Sequence, residues 1–205
     1  MDRRTTIKWL IAARAAWPLR GWASVASRPA SAGSGYGTDP DLLPTYVPGE
    51  LWPLTLTARQ RALAAVLSDL IMPADEQSPS ASQVGVVSFI DEWVSAPYPE
   101  QQRDRALILE GLAWIDAESA RAFGAPFDGI SPDERQRLCD RICDATSAGP
   151  ADADAARFFA RYRDLTGGAF YSTPAGRQDL QYIGNVPRTS FPPPPPELLR
   201  RLGIP

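Results

Sequence analysis

Between Thr57 and Gly168 the apolar residues recur at helical spacing, and no run alternates apolar with polar as a half-buried strand would. That period sets the fold class. In TARQRALAAVLSDLIMP, Thr57 and Gln60 form a capping-box pattern, and Leu63, Val66, Leu67, Leu70 and Ile71 share a face. Pro73 ends the segment. VGVVSFIDEWV sets Val86, Ile90, Trp93 and Val94 on one side of a short helix, broken by PYP at 97–99. A longer helix is expected from Gln101 to Phe123, with Ala106, Leu109, Leu112, Ile115 and Ser119 on one face and Ile108 and Trp114 widening it. Gly124 is its cap. In SPDERQRLCDRICDA, Ser131 is the cap, Pro132 the first helical residue and Glu134 the capping-box partner. A fifth helix carries Phe158, Phe159, Tyr162 and Leu165, and the glycine pair Gly167-Gly168 reads as its end. The expectation is an all-α single domain of about five helices over residues 55–187, with no internal repeat.

Two flanks stand outside this pattern. Residues 33–54 are rich in Gly, Ser and Pro and read as a linker running into an extended arm. Residues 188–205 read as a non-helical, Pro-rich tail, because the prolines at 192–196 favour polyproline II. Such a tail is either a stiff solvated end or an arm laid across a partner. Leu198, Leu199, Leu202 and Ile204 beyond the prolines offer apolar surface for the second.

The N-terminus opens DRRTTIK, close to the S-R-R-x-F-L-K pattern read by the twin-arginine translocase. Arg3 and Arg4 supply the pair, and Lys8, the single lysine of the chain, ends it; Thr6 departs at the usual Phe position. A charged start, a weak apolar middle interrupted by Arg14 and Arg20, and small residues then follow in signal-peptide order. Cleavage is expected at Ala32, after Ala30-Ser31, or at Ala26. A cleaved leader over residues 1–32 ranks first, a retained interfacial anchor second, an arginine pair without meaning third. The leader route places the mature chain in the periplasm.

Composition removes several chemistries. The leader holds six of the 21 basic residues and one of the 24 acidic ones, leaving 15 against 23, a net charge of −8. An acidic domain is a poor nucleic-acid binder. The chain has no histidine, which excludes Ser-His-Asp and Cys-His catalysis, the H-E-x-x-H zinc site and C-x-x-C-H haem attachment. No glycine-rich phosphate loop is present. The acidic pairs at 91–92 and 133–134 fall where a helix start or a solvated face would put them. Cys139 and Cys143, four apart on one helix, are too far apart to pair with each other and read as two small buried apolar residues, with a bond to another chain as the minor alternative in an oxidising compartment. No catalytic, cofactor-binding or metal-ligating residue is expected.

The segment FFARYRDLTGGAFYSTPAGRQDLQYIGNVP resembles the signature of the gluconate 2-dehydrogenase subunit 3 family. The residues that carry it are Phe158, Phe159, Thr166, Phe170, Tyr171, Ser172, Pro174, Gly176, Tyr182, Gly184 and Pro187. LTARQRALAAVLSDLIMPAD is similar to the family's opening helix, and GLAWIDAESARAFGAPFDGISPDERQRL to its middle section. The resemblance covers residues 54–187. It implies a small subunit that is not itself catalytic and holds no cofactor. The implied partner is an FAD-dependent, GMC-type large subunit that oxidises a sugar, a glucoside or a sugar acid, in some complexes with a c-type cytochrome subunit. The large subunit would leave the cytoplasm on the small one's leader and be held near the membrane through the complex. Phe170, Tyr171, Tyr182 and Phe191 are the expected partner face, with one tyrosine packing inward. Two other readings remain open: a membrane-tethered periplasmic binding or scaffold protein, and a stand-alone oxidoreductase.

Overall fold

The computed structural model describes residues 47–184, 187, 189–190 and 193–204. Arg3, Arg4, Lys8, Ala26, Ala32 and Phe191 lie outside the described residues, as does most of the expected linker. Seven α-helices are described, with no strand among the described residues: α1 (Ala58–Ile71), α2 (Val86–Ser95), α3 (Pro99–Phe123), α4 (Pro132–Ile142), α5 (Ala153–Ser172), α6 (Pro174–Asp179) and α7 (Pro196–Leu202). The first five are the helices that the periodicity predicts.

Their ends follow local chemistry. Thr57 accepts from the Gln60 amide while the Gln60 side chain accepts from the Thr57 amide, and Ser131 and Glu134 do the same for α4. Pro99 occupies the first turn of α3, so the PYP break also starts the next helix. Gly124 ends α3 at φ 77, a conformation that favours glycine.

α5 is the centre of the domain and packs against α1, α2, α3 and α4. It buries Ala155, Phe158, Phe159, Tyr162, Leu165 and Phe170 around most of its circumference, as a helix enclosed by others must. The α3–α5 crossing is close because Gly111 has no side chain: a Cβ there would stand 1.9 Å from the Phe158 ring. Tyr162 is enclosed, and its hydroxyl donates to the Ala64 carbonyl at 2.8 Å and lies 2.9 Å from Ser68 Oγ. Burial pushes that phenol well above its ordinary pKa.

Three expectations are corrected here. α5 does not stop at Gly167-Gly168 but runs to Ser172. Four further residues stay helical because Ala169 and Phe170 have core to enter, and that burial outweighs the roughly 1 kcal/mol per glycine that helix propensity costs. The tail is not wholly non-helical, since α7 begins at Pro196, the last proline of the run at 192–196. Asp91 is not on a solvated face: it is fully buried.

Asp91 explains the arm. Its Oδ1 accepts from the amides of Thr55 (3.1 Å) and Leu56 (2.9 Å), and Arg61 Nη2 stands 2.7 Å from Oδ2 as an ion pair rather than an aligned hydrogen bond. Trp52 is buried, donates from Nε1 to the Glu92 carbonyl at 3.3 Å and meets Tyr98 edge-on at 6.1 Å between ring centroids. The end of the expected arm is thus docked on α2.

Candidate partner interface

After Ser172 the chain turns at Thr173, whose Oγ1 accepts from the Gly176 amide at 3.0 Å and caps α6, with Pro174 in its first turn. α6 folds back against the end of α5. A Cβ on Gly176 would stand 2.1 Å from the Phe170 carbonyl oxygen, so only glycine fits there. The far end of α6 closes with a Schellman pair, Tyr182 N to Arg177 O (2.9 Å) and Gln181 N to Gln178 O (2.9 Å). The left-handed residue that this motif needs is Gln181, at φ 54, where glycine would be unstrained.

The consequence is an apolar projection. Leu180, Tyr182 and Ile183 are 57%, 62% and 70% exposed, next to one another on the chain. Gly184 follows at φ 75. A bent, locally bonded segment that presents two aliphatic side chains and a tyrosine to solvent has the composition of an interface centre.

The predicted face therefore divides. Tyr182 is exposed. Phe170 is fully buried, which corrects its placement on the partner face: the continuation of α5 carries its ring into the core. Tyr171 is half-buried and packs edge-on against Phe170 at 5.3 Å between centroids, so it is the tyrosine directed inward. Leu180 and Ile183 were not singled out from the sequence. Their signal was available in DLQYIG, where three large apolar residues sit among turn formers that leave little room to bury them.

Several buried polar groups elsewhere in the described residues are tied into structure, while Thr166 Oγ1 is buried without a hydrogen-bond partner. Asp104 accepts from Trp93 Nε1 at 2.7 Å and from Arg161 Nε at 3.0 Å, while the Arg161 guanidinium lies over the Trp93 ring at 5.6 Å. Arg163 is buried and donates from Nη1 to the Cys143 carbonyl at 3.2 Å, placing a cation at the C-terminal end of α4. Cys139 is buried and its thiol is pushed well up by desolvation. Cys143, half-buried at the end of α4, donates its thiol to the Asp140 carbonyl at 3.3 Å, so only one of the two cysteines is enclosed. Both are free. Among the described residues no group of three or more His, Cys, Asp or Glu is placed to hold a metal ion. No described helix is long and apolar enough to cross a membrane.

No curated protein and no solved structure matches the chain. The profile of one family, gluconate 2-dehydrogenase subunit 3, matches residues 58–187, from the first residue of α1 to just past the exposed Leu180–Ile183 segment. A match over that much of the chain includes five core helices, the α5–α6 turn and the projection that follows it, and it shows that this protein belongs to the gluconate 2-dehydrogenase subunit 3 family.

Proposed function

We propose that the chain is the accessory, non-catalytic subunit of a periplasmic sugar or sugar-acid dehydrogenase. In this reading it carries the twin-arginine signal, and it escorts and steadies a large FAD-dependent, GMC-type subunit that performs the oxidation. A c-type cytochrome subunit belongs to some complexes of this kind. The family membership carries the proposal, since it makes the chain a subunit of a dehydrogenase complex. Two features support the finer reading. The buried polar groups Asp91, Asp104, Tyr162 and Arg163 have structural partners, and the buried thiol is held from its reactive thiolate form. The exposed Leu180–Ile183 projection is what a subunit would offer to a larger chain. Hydride chemistry would then belong to the flavin of the partner.

The test is co-expression with the catalytic subunit and purification by a tag on this chain. The expected result is a stoichiometric complex with the flavin absorption band, dehydrogenase activity in that complex, and none in this chain alone. Sugar oxidation by the isolated chain would sink the accessory reading in favour of a stand-alone oxidoreductase. Recovery of this chain in the membrane fraction, with its N-terminus intact and no flavoprotein bound, would favour a tethered scaffold.

A further inference from the structure

Among the described residues, left-handed backbone falls to glycine with a single exception. Gly49, Gly85, Gly124, Gly184 and Gly203 all have positive φ, and Gly85, Gly124 and Gly203 each end a helical segment. The exception is Gln181, at φ 54. Glycine enters this conformation without steric cost, whereas any Cβ crowds the following carbonyl oxygen. The position is imposed by the closure of α6. Leu180 is the C-cap, and the bonds from Tyr182 N to Arg177 O and from Gln181 N to Gln178 O, both 2.9 Å, require the next residue to turn left-handed. Three residues later the same segment needs that turn again and has Gly184 for it.

Nothing local offsets the strain at Gln181. Asn and Asp tolerate the left-handed region because their short side chains bond the adjacent backbone. Glutamine is one methylene longer, and the Gln181 side chain is exposed, with no hydrogen bond among the described residues. Glycine at this position would close α6 better. A local rule broken without a local return points to a side chain used outside its own turn. Its neighbours show where. Leu180, Tyr182 and Ile183 are exposed on either side of it, so Gln181 is the amide set within the apolar projection.

We propose that Gln181 is a specificity-determining residue for the catalytic subunit. Its amide, with one acceptor and two donors, bonds polar groups of that subunit within the area from which Leu180, Tyr182 and Ile183 exclude water. An unmatched polar group is costly in such a place, so one amide separates a subunit whose groups match it from one whose groups do not. The inference rests on the accessory-subunit reading above and deepens it: the apolar neighbours supply contact area, and Gln181 supplies register. The catalytic subunit is the occupant because residues 180–184 lie within the stretch, 58–187, that makes this chain a member of a family of dehydrogenase subunits.

The experiment compares two substitutions in the full chain, alone and in complex with the catalytic subunit. Gln181→Gly removes both the strain and the amide. Gln181→Ala removes the amide and keeps the strained, restricted backbone. Alone, the glycine variant should melt about 2–4 °C above the unaltered chain, and the alanine variant should melt with it. In the complex, both should raise the dissociation constant by about tenfold, the effect of leaving a buried polar group of the partner unmatched. Stability and affinity then move in opposite directions in the glycine variant, which damage to the fold does not produce. Unaltered affinity in either variant overturns the proposal; if the glycine variant alone binds more weakly, the loss comes from a loosened backbone and not from the amide. A glycine variant that melts no higher overturns it too, since Gln181 is then unstrained. So does loss of self-association, measured by sedimentation, with the heterocomplex unchanged. If the unaltered chain binds no catalytic subunit, the accessory reading fails, and the role of Gln181 fails with it.

Discussion

Asp91 carries a larger structural load than any other single side chain in the arm region. It is fully buried, it receives two backbone amides, and Arg61 is its counter-charge. Asp91→Ala would leave the buried Leu56 amide without its acceptor, while Thr55 keeps a bond to Ser95 Oγ. The expected loss is about 2–4 kcal/mol, read as a melting temperature lower by roughly 5–15 °C. Asp91→Asn, which retains an acceptor oxygen, should lose less. A second carboxylate makes a pH prediction. Hydrogen bonds from Arg121, with Arg141 also at 2.7 Å, hold the Glu118 carboxyl down from 4.5 to about 2. A group whose folded pKa is depressed adds stability above its unfolded pKa and loses it as pH falls toward the folded one. Glu118 should therefore contribute fully above about pH 4.5 and progressively less down to about pH 2. Glu118→Gln should flatten that part of a curve of melting temperature against pH, and an unchanged acid limb would remove Glu118 from the account. Neither residue's weight was visible in the sequence. Asp91 stands in an acidic pair that reads as solvated, and only the return of residues 55–56 onto α2, some 35 positions away, buries it.

Helix starts and stops, by contrast, were largely legible, because they are short-range chemistry. Thr57 with Gln60, Ser131 with Glu134, and Gly124 each act within a turn of where they stand. The glycine pair in α5 was misread because a glycine has no local instruction to end a helix when apolar residues beyond it find a core. That gives a contrast between three glycines. Nothing lies within 4 Å of a Cβ built at Gly168, which is exposed, so Gly168→Ala should raise stability by about 0.5–1 kcal/mol. Gly176→Ala meets the Phe170 carbonyl and should displace α6 from α5, lowering the melting temperature and, on the proposed interface, weakening partner binding through the Leu180–Ile183 segment. Gly111→Ala puts a methyl into the Phe158 ring and should cost about 1–3 kcal/mol despite alanine's better helix propensity. Thermal unfolding of the three variants orders them. α7 was legible in principle from Pro196 and LLRRLGI, but the proline run draws the reading toward an extended chain.

At the scale of the whole molecule, the all-α class and the family were both readable, the first from the apolar period and the second from the motif around α5 and α6. Export is the whole-molecule property that the escort reading stakes most on. Arg3→Lys with Arg4→Lys should keep both this chain and its flavoprotein partner in the cytoplasm, measured by cell fractionation. Full delivery of the partner to the periplasm from that strain would refute the escort. Fragment design is where the docked arm matters next. The family match begins at Ala58, and a fragment cut there is the obvious choice for expression. Such a fragment lacks Thr57, the cap of α1, at a cost of about 1 kcal/mol. It also lacks the Thr55 and Leu56 segment that buries Asp91, so that carboxylate loses both amides and is uncovered with Arg61 and Ser95 Oγ as its remaining partners, and the pocket that Trp52 fills is opened to water. A fragment starting near Val47 should melt sharply, and one starting at Ala58 should melt lower or aggregate. The piece of this chain that keeps its core closed should therefore begin before the piece its family shares.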